Sequence, residues 1–233
     1  MSVKQILFNT EMVRAILDGR KSCTRRIVKP QQLVGLLPDK CKNGVQEEFL
    51  KEKKFMFKPY CNMTDSELIM TSYKKPYQPG DILYVRETWF KGLKRYMYRA
   101  DYSDTEKFYR DGKEIEMKWH PSIHMPKEAA RIWLKVTDVR VERLQDITED
   151  ETFEEGLDFT PPCLHLTGEN YCDIDGPCTS KIKYCDMSSG ELFGEVLWNP
   201  TIKKSVLDRY GWDANPWVWV IEFERCDKPE SEG

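Results

Sequence analysis

An α+β domain built on a small, strongly bent sheet or barrel is the fold class this sequence predicts. Three observations carry it. Short alternating apolar stretches recur along the chain, with Ile82 to Trp89 and Arg131 to Leu144 the clearest. Two or three short helical patterns are spaced among them. The last stretch, Trp217 to Phe223, begins almost continuously apolar, as a central strand would.

Taken in order, Lys4 to Asn9 reads as a first strand, and Asn9 or Thr10 can cap the helix that follows. Met12, Val13, Ile16 and Leu17 recur at helical spacing, and Gly19 ends the helix. Thr24 to Val28 is a short strand closed by Pro30. Residues 30–78 are rich in Lys, Gln, Pro and Asn and read as an insertion with a mobile loop and a small hairpin around Lys54 to Lys58. Pro79-Gly80-Asp81 is a turn, Ile82 to Trp89 a strand and Tyr96 to Ala100 another. Arg131 to Leu144 is one bent strand or two joined ones. Thr148, with Glu151 three residues on, forms a capping box for an acidic helix over 149–156 that Gly156 ends. A second insertion, 158–187, carries Cys, Gly and Pro. Leu192, Val196 and Leu197 suggest one further helix and Val206, Leu207 and Tyr210 another, before the final strand. The expectation is a single domain over 1–233 with these two insertions.

The chain of 233 residues is 40% apolar, enough for a sizeable core, and its formal charge of -3 excludes a globally basic nucleic-acid coat. A local basic pocket remains open, because local field and not net charge guides a ligand. No run of roughly 18 apolar residues is present, and the first residues lack the layout of a secretion signal, so the reading is a cytoplasmic protein without membrane partners. Eight cysteines in such a setting argue for reduced thiols or metal ligands, not for a disulfide framework.

Charge is unevenly placed. Residues 13–30 carry Arg14, Arg20, Lys21, Arg25, Arg26 and Lys29 against Asp18 alone, while 146–158 carry Asp146, Glu149, Asp150, Glu151, Glu154, Glu155 and Asp158 with no base. These blocks are either two solvated faces or two sides of one site. Within the basic block, Lys21 and Thr24 stand three apart at a helix-to-strand junction, where they can converge on one small polar group.

Four segments in this order resemble the ASCH domain family of the PUA-like superfamily: Gly19-Arg20-Lys21 with Thr24 and Arg26, Pro79-Gly80-Asp81 running into Val85-Arg86-Glu87, Leu144 to Leu157, and Trp217 to Phe223. Met125-Pro126-Lys127, Arg143 to Ile147 and Asn215 to Val220 look particularly like the larger phage- or prophage-associated members. The resemblance covers roughly 4–29, 79–157 and 191–225. It implies a compact PUA-like bent β-barrel with flanking helices and a cleft lined by the basic loop, in a family thought to bind RNA or nucleobases. One small bacterial member is similar in the first motif and is an amidohydrolase acting on N4-acetylcytidine. Its lysine, its threonine three residues later and its glutamate after the long strand fall here on Lys21, Thr24 and Glu155, with Glu149, Glu151 and Glu154 close enough in sequence to compete for the last place.

A threonine hydroxyl becomes a nucleophile only when a base takes its proton, which a neutral Lys21 could do while Glu155 orients a water or shuttles the proton to the leaving amine. The backbone at Thr24-Arg25 or the Arg26 guanidinium would face the oxyanion. Without catalysis, Lys21 and Arg26 would bind phosphate, Thr24 a base edge, and Glu155 would pair with Arg25 or Arg26. Glu87 could accept from a cytosine amino group or, more simply, pair with Arg86. Trp89, Phe90, Tyr96, Tyr98 and Trp119 either pack in the core, the better reading for most of them, or offer a stacking face for a base, with Trp89 the best stacking candidate, whereas Trp217 and Trp219 share one face of their strand and read as core. Cys163, His165, Cys172, Cys178 and Cys185 lie within 23 residues at spacings looser than a zinc knuckle, so a structural zinc stands beside free thiols as alternatives, and no cofactor is required. His120 and His124 read as a surface loop.

Three readings follow: binding of a nucleobase, nucleoside or single-stranded nucleic acid, with RNA foremost; hydrolysis of an N4-acylated cytidine in the same cleft; and a viral interaction protein that acts through its insertions.

Overall fold

The computed structural model describes residues 2–29, 74–92, 95–110, 112–157 and 187–229. The hairpin expected around Lys54 to Lys58, most of the first insertion, nearly all of the second and the cysteine–histidine cluster of the second lie outside them.

β1 (Val3–Leu7), β2 (Cys23–Ile27), β3 (Ile82–Arg86), β8 (Trp133–Arg143) and β9 (Trp217–Cys226) form one sheet in the order β1-β3-β8-β9-β2. β1 runs parallel to β3, and β3 antiparallel to β8. β4 (Trp89–Lys91) pairs with β5 (Tyr96–Tyr98), and β6 (Phe108–Arg110) with β7 (Lys113–Ile115). The mixed α and β content is as expected, while the described strands pair as an open run from β1 to β2 and not as a closed barrel. Among the described residues no helix is long and apolar enough to cross a membrane.

The chain divides into two compact units. The first comprises Met1–Thr24, Tyr77–Val139 and Ile221–Gly233, the second Arg25–Pro76 and Arg140–Val220, so the division falls within β2, β8 and β9. In β8 the buried positions change parity along the strand: Leu134 and Val136 share one parity, Val139 and Val141 the other. A strict period of two would keep one parity. β8 is thus one continuous strand, and not two joined ones, with a change of buried face within it.

In the first unit, α1 (Thr10–Leu17) starts where the Asn9 carboxamide oxygen accepts from the Met12 N–H at 2.8 Å. It buries Val13, Ala15 and Ile16. It ends in a Schellman turn: Gly19 sits at φ 77°, its N–H donates to the Ile16 carbonyl, and the Arg20 N–H reaches back to Ala15. The Pro79-Gly80-Asp81 turn is held by the Asp81 carboxylate, which accepts from Ser2, Lys4 and the Gln78 N–H at 2.6, 2.6 and 2.9 Å. Burial pushes the Asp81 value up, but those donors outweigh it and hold the carboxyl at about 2. The run read as one strand over Ile82 to Trp89 is two, β3 and β4, broken at Glu87-Thr88.

The second unit packs Leu144, Ile147, Phe193, Trp198, Val218 and Val220 into one core. α2 (Glu149–Glu154) carries the expected capping box, with Thr148 accepting from the Glu151 N–H and Glu151 accepting from the Thr148 N–H. It also ends in a Schellman turn, with Gly156 at φ 91° donating to Phe153 and Leu157 donating to Thr152. The helix expected through Leu192 and Val196 is α3 (Ser189–Leu192) continuing into a π-helical turn, Phe193–Trp198. Gly194 is required there, since a Cβ would lie 2.5 Å from the Trp212 ring. α4 (Leu207–Tyr210) follows.

Candidate functional site

The basic run is less solvated than its composition suggests. Lys21 is 3% exposed and Thr24 2%, and both belong to the first unit. The Schellman turn brings this about: after Gly19 reverses the chain, the Lys21 N–H also donates to the Ala15 carbonyl, at 3.0 Å, which ties Lys21 to the end of α1. Its ammonium lies 5.7 Å from the centroid of Phe8, itself packed on Phe223 with ring centroids 6.1 Å apart. The Ser22 carbonyl accepts from the Phe223 N–H, which fixes the register as the chain enters β2.

The same unit buries Glu87, 1% exposed, between β3 and β4. Its partner is not the neighbouring Arg86. Arg131 Nε and Nη2 donate to its two oxygens at 2.9 and 3.0 Å, while Arg86 donates to Gln5 and to the Ile123 carbonyl. Arg131 also reaches Asp101 at 2.7 Å and stacks 4.0 Å from the Tyr98 centroid. Burial raises the Glu87 carboxyl above its ordinary value, and Arg131 only partly offsets it. With both oxygens engaged by one guanidinium, Glu87 is a structural pair and not the reader of a cytosine amino group. Arg131 was missed in the sequence because it lies 44 residues away, on the far side of an irregular segment.

Trp89 is 8% exposed and belongs to a cluster with Met125 and Ala129. Its ring meets Tyr96 edge-on at 5.6 Å and His120 at 5.1 Å. The stacking role expected for it is therefore filled by the protein itself, because a strand-end tryptophan beside two other rings buries more apolar area than it would at an open face. Trp217 and Trp219 are buried, as their shared parity predicted. His120 and His124 are exposed, as expected of a surface loop.

In the second unit, Arg25 is wholly buried and serves three carboxylates: Glu151 at 2.9 Å, Glu155 at 3.4 Å and Glu142 at 3.5 Å. Arg140 pairs with Glu142 and Glu151. Part of the basic block thus does face part of the acidic block. Glu151 sits below the ordinary glutamate value: burial pushes it up, but the Thr148 N–H, Arg25 and Arg140 outweigh that. Glu155 is 2% exposed and caps the C-terminal end of α2, where backbone carbonyls disfavour a carboxylate. Arg26 is half-buried on β2 and has interactions of its own.

Among the described residues no three His, Cys, Asp or Glu side chains gather as ligands of a cation would, and the two described cysteines, Cys23 and Cys226, are free thiols. Comparison with family models, with curated proteins and with solved structures finds no match, so the functional argument rests on the residues of this chain.

Proposed function

We propose that this is an ASCH-type chain of the PUA-like class that binds a nucleobase, a nucleoside or a single-stranded nucleic acid, RNA foremost, through the start of β2. The observation that carries the reading is the burial of Lys21 and Thr24, at 3% and 2% exposure. Lysine is among the residues least often buried, and removing an ammonium from water is costly, so a turn needing only solubility would leave it outside. Lys21 brings three N–H donors and Thr24 both a donor and an acceptor, a set suited to the carbonyls and ring nitrogens of a base edge. The PUA-like assignment is supported by the mixed sheet, the change of buried face along β8 and the capped acidic helix that follows it.

A second reading, hydrolysis of the N4-acyl amide of a cytidine, is favoured by one further observation. All three residues that the resemblance assigns to that reaction, Lys21, Thr24 and Glu155, are buried polar groups in a chain where few others are. Perturbed or costly buried groups concentrate at functional sites.

A thermal-shift screen of nucleosides and short oligoribonucleotides, followed by calorimetric titration of each hit and product analysis, tests both readings. Binding that Lys21→Met and Thr24→Val each weaken about tenfold or more supports the first, at about 1.4 kcal/mol per factor of ten. Release of acetate from N4-acetylcytidine, lost in the same variants, supports the second.

A further inference from the structure

We propose that Arg25 is a positioning residue for Glu155 and not itself a contact for ligand; the inference rests on the reading that Glu155 acts on what the protein binds. By sequence Arg25 looks like a ligand arginine, one of three guanidiniums in an eight-residue basic run. Its surroundings argue otherwise. The side chain is wholly buried, and its two terminal nitrogens are engaged by Glu151 and Glu142 on one and by Glu155 on the other. A guanidinium that met a phosphate or a base would have to release these carboxylates, and Glu155 would lose this cation while staying buried, which is unfavourable.

The geometry gives each member a task. Arg140 holds Glu142 and Glu151, and the Thr148 N–H holds Glu151 a second time through the capping box. Those contacts pin the Glu151 side of Arg25. The planar fork of the guanidinium then fixes where its other nitrogen points, and that nitrogen meets Glu155 Oε1 at 3.4 Å. Glu155 stands at the C-cap of α2, an unfavourable place for a carboxylate, and the contact with Arg25 sets a fixed cation beside it. A lysine in place of Arg25 would keep the charge but reach one carboxylate at a time.

The test combines two measurements on the full chain, with N4-acetylcytidine and cytidine as probes. Arg25→Lys is expected to remain folded, by circular dichroism and thermal melting, yet to weaken probe binding or slow turnover about tenfold, matching Glu155→Gln. The double variant Arg25→Lys/Glu155→Gln should be no worse than either single one. A folded Arg25→Lys protein that handles the probe like the parent overturns the proposal, because charge alone then suffices. If the parent neither binds nor converts either probe, the functional reading falls, and a double-mutant cycle on urea unfolding decides the remainder. Coupling of about fivefold or more in the unfolding constant between Arg25→Gln and Glu155→Gln supports the holding of Glu155, and zero coupling overturns it.

Discussion

Each unit buries one acid–guanidinium cluster, and the two are built differently. In the first, Arg131 offers Glu87 a matched two-pronged contact, with Asp101 and the Tyr98 ring completing the guanidinium's surroundings. In the second, Arg25 is shared by Glu142, Glu151 and Glu155, and Arg140 pairs with Glu142 and Glu151 as well. The first cluster is matched in geometry and is accounted for as structure. The second spreads one guanidinium over three acids, and one of those acids stands at the C-terminal end of a helix. That acid, Glu155, is one to which the amidohydrolase reading assigns a role, whereas Glu87 is not, and the binding reading rests on Lys21 and Thr24.

The largest expected effect lies in the matched pair. Arg131→Ala leaves Glu87 buried without its main cation and should lower the unfolding free energy by about 3–5 kcal/mol, measured by urea denaturation. Replacing both partners at once, Glu87→Leu with Arg131→Met, should cost far less, since apolar residues of similar volume substitute well for a buried pair. A loss under about 1 kcal/mol for Arg131→Ala would place the pair among exposed ion pairs and break the comparison.

The clusters should also respond to pH with opposite signs. Glu87 is raised above its ordinary value of 4.5, so its favourable contribution is full below that value and is lost as pH rises through the folded one. Glu151 is lowered, so its contribution is present above 4.5 and is lost as pH falls through its folded value. Compared with Glu87→Gln, the parent should therefore lose stability as pH rises from 4.5. Compared with Glu151→Gln, it should lose stability as pH falls from 4.5. Each slope is at most about 1.4 kcal/mol per pH unit. Denaturation midpoints of the three proteins across this range check the signs, and slopes of the same sign would dissolve the contrast.

Much of the local structure was legible in the sequence because it depends on near neighbours. Gly19 and Gly156 end their helices as expected, with positive φ and Schellman hydrogen bonds. Thr148 and Glu151 form their capping box, and Gly80-Asp81 turns the chain into β3. That Glu155 would pair with Arg25 or Arg26 was one of the readings the sequence left open, and Arg25 is among its partners. What escaped the reading depends on long-range contact. The alternation of a strand argues against Arg86 as the partner of Glu87, but it does not name Arg131, which lies 44 residues on. Trp89 looked like an exposed platform because the rings that cover it arrive from β5 and from the segment around His120. The sequence run 82–89 alternates smoothly, yet the strand breaks at Glu87-Thr88, where Glu87 pairs with Arg131.

The smallest expected effect sharpens the second cluster. Thr148→Ala removes the hydroxyl that accepts the Glu151 N–H and should cost about 1 kcal/mol in urea unfolding. Since Glu151 anchors one side of Arg25, the same variant should weaken ligand binding less than Glu155→Gln does. An equal or larger loss of binding would move the key acid from Glu155 to Glu151.

The most direct test of the central claim is calorimetric titration of the parent and of Lys21→Met with cytidine-series nucleosides and a short oligoribonucleotide. The account predicts saturable binding of at least one of these by the parent and a loss of about tenfold or more in a folded Lys21→Met protein. Equal binding by both proteins, or no binding of any of them by the parent, would contradict it.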